Sequence, residues 1–190
     1  SFLNRVMDRR LGIPITLSVV YMSLARYADL DMEGVGFPGH FLVRLVGPDV
    51  ANPVYLDPFN GGNVVDRDQL RQRVVAMGND DATVRRYLPA LLAPVSKRVL
   101  LVRMLRNLKA IYRRTGDGVR GLSVASHILT VAPDLAEEWR DRALLYREME
   151  CFVAARDDLR RYLELAPDAD DGPRMAEILA ELEIRARRLV

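Results

Sequence analysis

Two residues of this chain could carry out acid–base chemistry together. His40 stands between Pro38-Gly39 and the apolar run Phe41–Val46, and Asp57 closes a second run, Val54–Leu56, just before Pro58. A histidine at the edge of one strand and an aspartate at the end of the next can lie side by side, so that the carboxylate orients the imidazole. The same spacing fits a plainer arrangement, in which His40 is a turn residue and Asp57 caps the loop that leads to Gly62. Nucleophiles and metal ligands are scarce: there is one cysteine, Cys151, and His127 is the only other imidazole. That excludes a disulfide framework and a multi-Cys zinc site, and neither metal nor cofactor is expected. Cys151 itself reads as an ordinary buried thiol. Asn60-Gly61-Gly62 lacks the lysine and helix start of a P-loop and reads as a turn.

The elements that must position this pair follow from apolar patterning. Gly12 and Pro14 precede the stretch Ile15–Leu30, whose apolar residues fall on nearly every face, which predicts a central, buried helix with Pro14 in its first turn. Short strands are expected at Gly34–Phe37, Phe41–Val46 and Val54–Leu56, separated by Pro38-Gly39, Gly47-Pro48-Asp49 and Asn52-Pro53. Helices are expected over Asp66–Met77, entered through Asp66 as N-cap, and Ala82–Leu92. This is an α+β domain over about 1–92, and the texture changes to long helical runs near 92–96.

The remainder, 96–190, contains a repeat. Leu129-Thr-Val-Ala-Pro-Asp134 recurs as Leu163-Glu-Leu-Ala-Pro-Asp168, a shift of 34 residues that also superposes Arg106 on Arg140, Tyr112 on Tyr146 and Val119 on Val153. A 34-residue period is the length of the tetratricopeptide repeat, two antiparallel helices per unit. Pro133 and Pro167 stand as the terminal prolines, and Trp139, Tyr146 and Ala155 fall on the expected Trp, Tyr and Ala positions of the second unit, with Tyr112 matching in a weaker first unit. These read as packing residues. A closing helix is expected over about 173–188, and Gly121 and Ala155 are expected to let paired helices approach. So short an array is expected to lean on the first domain.

Further motifs carry a family resemblance. Ser1-Phe-Leu-Asn-Arg-Val, Gly12-Ile-Pro-Ile-Thr-Leu-Ser18, Phe37-Pro-Gly-His-Phe-Leu-Val-Arg44 and Asp57-Pro-Phe-Asn-Gly-Gly62 resemble the SirB1 family, which joins a transglutaminase-like domain of the papain-like cysteine-protease type to tetratricopeptide-like helices. The resemblance implies that His40 matches a catalytic His and Asp57 a catalytic Asp. It also implies a further helical segment ahead of the stretch that begins here, and the opening Ser-Phe-Leu-Asn without an initiator Met fits a piece of a longer protein. The family's nucleophile, a Cys at the start of the buried helix, has no counterpart. That segment offers only the hydroxyls of Thr16 and Ser18, which need a full general base and an oxyanion hole to attack an amide. Either can instead bond back to the backbone of its own helix.

Composition narrows the function classes. The chain is 49% hydrophobic and 28% charged, with net charge +2, so it can bury a core and gives no reason to expect nucleic acid as partner. No run approaches the length of a membrane span, and a cytoplasmic location is expected. A basic tract over 96–120, including Arg98, Arg103, Arg106, Lys109 and Arg113, is either a solvated face paired with neighbouring repeat helices or a groove for an acidic peptide or carboxylate. The leading expectation is a non-catalytic protein- or peptide-binding protein with a degenerate transglutaminase-like domain, binding through the repeat surface or between the modules. The alternative is an acyl-transfer or amide-hydrolysing enzyme with His40 as base, Asp57 as orienter and Thr16 or Ser18 as nucleophile.

Overall fold

The structure, a computed structural model, describes residues 2–47 and 52–187. Pro48 and Asp49 of the expected turn, Ser1 of the first quoted motif and position 188 of the expected closing helix lie outside the described residues. Two compact units are present, Ser1–Leu100 and Leu101–Val190.

The first unit opens with α1 (Leu3–Arg9) and α2 (Pro14–Tyr27), followed by four strands, β1 (Met32–Val35), β2 (Leu42–Leu45), β3 (Val54–Asp57) and β4 (Asn63–Val65). The strands form an antiparallel meander in sequence order, with Val35 opposite Leu42, Val43 opposite Leu56 and Asp57 opposite Asn63. Helices α3 (Arg67–Val75) and α4 (Asp81–Leu91) follow. Leu42 and Val43, neighbours on β2, are both buried, so both faces of the central strands are covered. One face carries the core of Val35, Phe37, Leu42, Tyr55, Leu70, Val74 and Leu88 under α3 and α4; α2 packs on β1 and β2. After α4 the chain returns to the free edge of β1: Val95 N–H donates to Gly34 O at 2.9 Å and Pro94 bridges to Val35. That covers an edge otherwise open to pairing with another chain.

The α+β expectation holds, with three corrections. Helix α2 stops at Tyr27, not Leu30, and its last turns are buried on one side only, with Ala25 buried but Leu24 58% and Tyr27 89% exposed. Its two most buried residues are both polar, Thr16 and Ser18. A fourth strand, β4, follows Gly61-Gly62, too short at three residues to show an alternation pattern. Asp66 caps α3 as expected: its carboxylate accepts from Gln69 N–H at 2.7 Å while Gln69 Oε1 accepts from Asp66 N–H, a reciprocal capping box.

The second unit is all helical: the later part of α5 (Lys97–Thr115), then α6 (Gly118–Val131), α7 (Ala136–Glu148), α8 (Phe152–Leu165) and α9 (Gly172–Arg187). The 34-residue period is visible in the helix bounds, since α6 and α8 are displaced by that shift at both ends. Ala132 and Ala166 cap α6 and α8, and Pro133 and Pro167 follow immediately, exposed, where a proline cannot continue the helix; Pro133 O accepts from Trp139 Nε1–H at 2.9 Å. Trp139 and Tyr146 pack partly buried against Ala143, Ala155 and Leu159, while Tyr112 packs on the cluster of Val102, Val124 and Ile128. Ala155 is fully buried. Gly121 is roomier than expected: a Cβ there would meet Leu145 at 3.7 Å and Tyr112 at 3.9 Å, ordinary contact distances.

Candidate functional site

His40 is delivered by a tight turn. Its backbone N–H donates to Phe37 O at 3.0 Å across Pro38-Gly39, and Gly39 has φ 65°. Proline second and a left-handed glycine third is the type II pattern. Asp57 ends β3 and caps the short 3-10 turn Pro58–Asn60 by accepting from Asn60 N–H at 3.2 Å. Gly61 and Gly62 follow at φ 73° and 77°, two consecutive left-handed residues that glycine adopts without strain. Gly62 N–H closes the loop on Asp57 O at 2.8 Å.

These two local structures bring the pair together. His40 Nε2–H donates to Asp57 Oδ1 at 2.6 Å. Asp57 is fully buried, and its other oxygen accepts from Asn60 Nδ2 at 2.7 Å and Arg73 Nη1 at 3.3 Å. Burial alone raises a carboxyl's pKa. Here it is outweighed by the bonds from Asn60 and His40 and by the neighbouring Arg73, which together hold Asp57 below the usual carboxylate value. The Phe59 ring, half exposed, meets His40 edge-on at 5.7 Å between centroids. The catalytic-type and loop-capping arrangements of Asp57 are thus both realised in one carboxylate. Asp57, Asn60 and Arg73 border an open, polar depression of about 510 Å³ with Asn63 and Gln72 in its wall.

The hydroxyls on α2 are engaged elsewhere. Thr16 Oγ1 donates to Ile13 O at 3.0 Å and accepts from Ile13 N–H at 3.1 Å, half of a capping box, because Ile13 has no side-chain acceptor to complete it. Ser18 Oγ donates to Phe41 O at 3.2 Å, tying α2 to the residue that follows His40. Both residues are 0% exposed, although Thr16 stands in the wall of a depression of about 580 Å³ beside α1. Asn60 and Arg73 were not singled out from sequence as partners of Asp57. The Asp-x-x-Asn spacing of a capped turn carried a signal for Asn60; Arg73 is brought in only by the packing of α3.

The basic tract is partly matched. Arg106 Nε donates to Glu138 Oε1 at 2.7 Å, and Lys109 bonds both Glu138 and Asp141 Oδ2, the latter at 2.7 Å. Arg98 and Arg103 also make interactions of their own. Cys151 corrects the expected buried thiol: it is exposed, in the connection between α7 and α8. His127 is exposed on α6, its Nδ1–H donating to Ser123 O at 2.7 Å. Among the described residues no group of three or more His, Cys, Asp or Glu is placed to hold a metal ion, and no helix is long and apolar enough to cross a membrane.

Residues 1–106 match the transglutaminase-like superfamily, and residues 108–180 match the tetratricopeptide repeat. A UPF0162 protein of Xylella fastidiosa is 42% identical over 167 residues, covering 88% of this chain and 59% of the relative. Another, from Pseudomonas aeruginosa, is 32% identical over 182 residues, covering 96% and 64%. The F-box only protein 21 of Mus musculus is 30% identical over 125 residues, 60% of this chain and 18% of that protein. The chain therefore spans about three fifths of the length of the bacterial relatives it matches.

Proposed function

The chain belongs to the transglutaminase-like superfamily, and from that membership we propose that it is a SirB1-type protein-binding protein whose transglutaminase-like unit is a scaffold and whose partner is met by the helical repeats. The observation that carries this reading is the commitment of Thr16 and Ser18, both fully buried and bonded to backbone carbonyls where the fold would need an exposed nucleophile. A hydroxyl nucleophile must be free to give its proton to the base and to approach a carbonyl carbon. In the scaffold role the His40–Asp57 bond pins the Pro38-Gly39 turn to the loop after β3. Helical repeats then supply a surface of the kind that receives a peptide segment.

One observation favours the enzymatic alternative: the 2.6 Å His40–Asp57 bond has the geometry of a base and its orienter. Substitution of His40 separates the two readings. His40→Ala is expected to lower stability by about 1–3 kcal/mol in urea denaturation, because it strips a donor from a buried carboxylate, and to change no amide-hydrolysing activity. Hydrolysis of a peptide or amide by the wild-type chain that disappears in His40→Ala contradicts the scaffold reading.

A further inference from the structure

We infer that the cleft walled by α5 and α7 in the second unit receives a partner segment carrying arginine or lysine beside a bulky apolar side chain; this rests on the protein-binding reading and specifies its ligand. The cleft has a volume of about 500 Å³, within the range of pockets that enclose a small ligand or an anchoring side chain. Its apolar lining includes Ala110 of α5 and Leu144 and Leu145 of α7.

The charges around those apolar residues decide the ligand. Arg106 and Lys109, which read from sequence either as a face paired with neighbouring repeat helices or as a basic groove, are matched inside the protein by Glu138 and Asp141. Glu138 is 2% exposed, so this carboxylate is a fixed partner. Asp117 caps α6 through Arg120 N–H and meets the Arg120 guanidinium. Of the remaining charges in the lining, Arg113, Glu137 and Glu148 make no ion pair among the described residues. The repeat explains the isolation of Arg113. Its counterpart 34 residues on, Arg147, pairs with Glu181. The position matching Glu181 in the earlier unit is Arg147 itself, which offers no acid.

Two unmatched carboxylates therefore stand against one unmatched cation. Glu137 and Glu148 are three helical turns apart on the same side of α7, separated by about 16 Å along its axis, with Leu144 and Leu145 between them. Each acts locally, since exposed charges are screened beyond about 8 Å at physiological salt. A segment that lays an apolar side chain on the apolar residues and a guanidinium or ammonium beside either glutamate satisfies this lining. An acidic segment would find two unmatched carboxylates and only Arg113 to pair with.

The test is selection of phage-displayed random dodecapeptides on the 190-residue chain, followed by fluorescence anisotropy of the enriched peptides. The expected result is enrichment of Arg or Lys flanking Leu, Met or Phe. Binding of those peptides should weaken about tenfold in the Glu137→Gln, Glu148→Gln double variant and in high salt, and should not change in Glu164→Gln, which lies on α8. Circular dichroism melts establish that each variant is folded. Enriched peptides that are acidic or uncharged, or cationic ones indifferent to the double variant, overturn the ligand assignment. If acidic peptides are enriched and are lost in Arg113→Ala, the protein-binding reading survives without it; if no sequence is enriched, both fall.

Discussion

Asp57 receives hydrogen bonds from His40, Arg73 and both nitrogens of Asn60, and that crowding of donors makes it an acid-sensitive point in the fold. Its folded pKa lies below the ordinary value, about 3.9 in an unfolded chain. The ionised form thus adds stability that is complete above that value and is lost as pH falls from there through the folded pKa. Urea denaturation of wild type across that acidic window should show falling stability, and Asp57→Asn should flatten the slope. At neutral pH Asp57→Asn should cost about 2–4 kcal/mol, because an amide cannot accept from His40 and Arg73 as a buried carboxylate does. Unchanged stability in Asp57→Asn contradicts the structural importance assigned to the carboxylate. At this scale the pair was legible because turn residues flank both members: Pro38-Gly39 before His40, and Pro58 and Gly61-Gly62 after Asp57. Arg73 was not legible, since a contact across sixteen residues exists only once α3 has packed. The exposure of Cys151 was missed for a like reason, because thiol burial depends on where the α7–α8 connection lies.

Elements carry their own tests. A Cβ on Gly34 of β1 would lie 2.8 Å from Cε1 and Cζ of the Phe41 ring, and Phe41 is 1% exposed with no room to retreat. Gly34→Ala should therefore destabilise by about 1–3 kcal/mol, the usual cost of overpacking. The repeat makes the opposite kind of prediction. Gly116 ends α5 at φ 70°, and 34 residues later the same left-handed turn is made by Glu150 at φ 59°. The two following residues close the same bond, Asp117 N–H to Tyr112 O and Cys151 N–H to Tyr146 O. Glu150→Gly should relieve the crowded Cβ and stabilise by about 0.5–1 kcal/mol in thermal denaturation; a loss of stability contradicts the equivalence of the two turns. Helix α2 shows why its sequence misled. An apolar run predicts burial on every face, but the sheet covers one side only, leaving Tyr27 exposed while the small Ser18 fills the approach to Phe41.

At the scale of the whole molecule, the 34-residue period was readable because a covalent repeat is written directly in the chain and survives as matched bounds of α6 and α8. The α+β unit was readable from the order of helix, strands and helices, and the transglutaminase-like match over 1–106 agrees with it. Function is harder, because a fold supplies positions and only particular side chains supply chemistry. The scaffold reading turns on whether Thr16 or Ser18 can be activated. The decisive measurement is peptide mapping by mass spectrometry after incubation with a fluorophosphonate, a reagent that labels activated hydroxyls, beside the His40→Ala variant. The expected result is no adduct on Thr16 or Ser18 in either protein. An adduct on either residue in the wild type that is absent from His40→Ala would show a working base–nucleophile pair and contradict the scaffold reading.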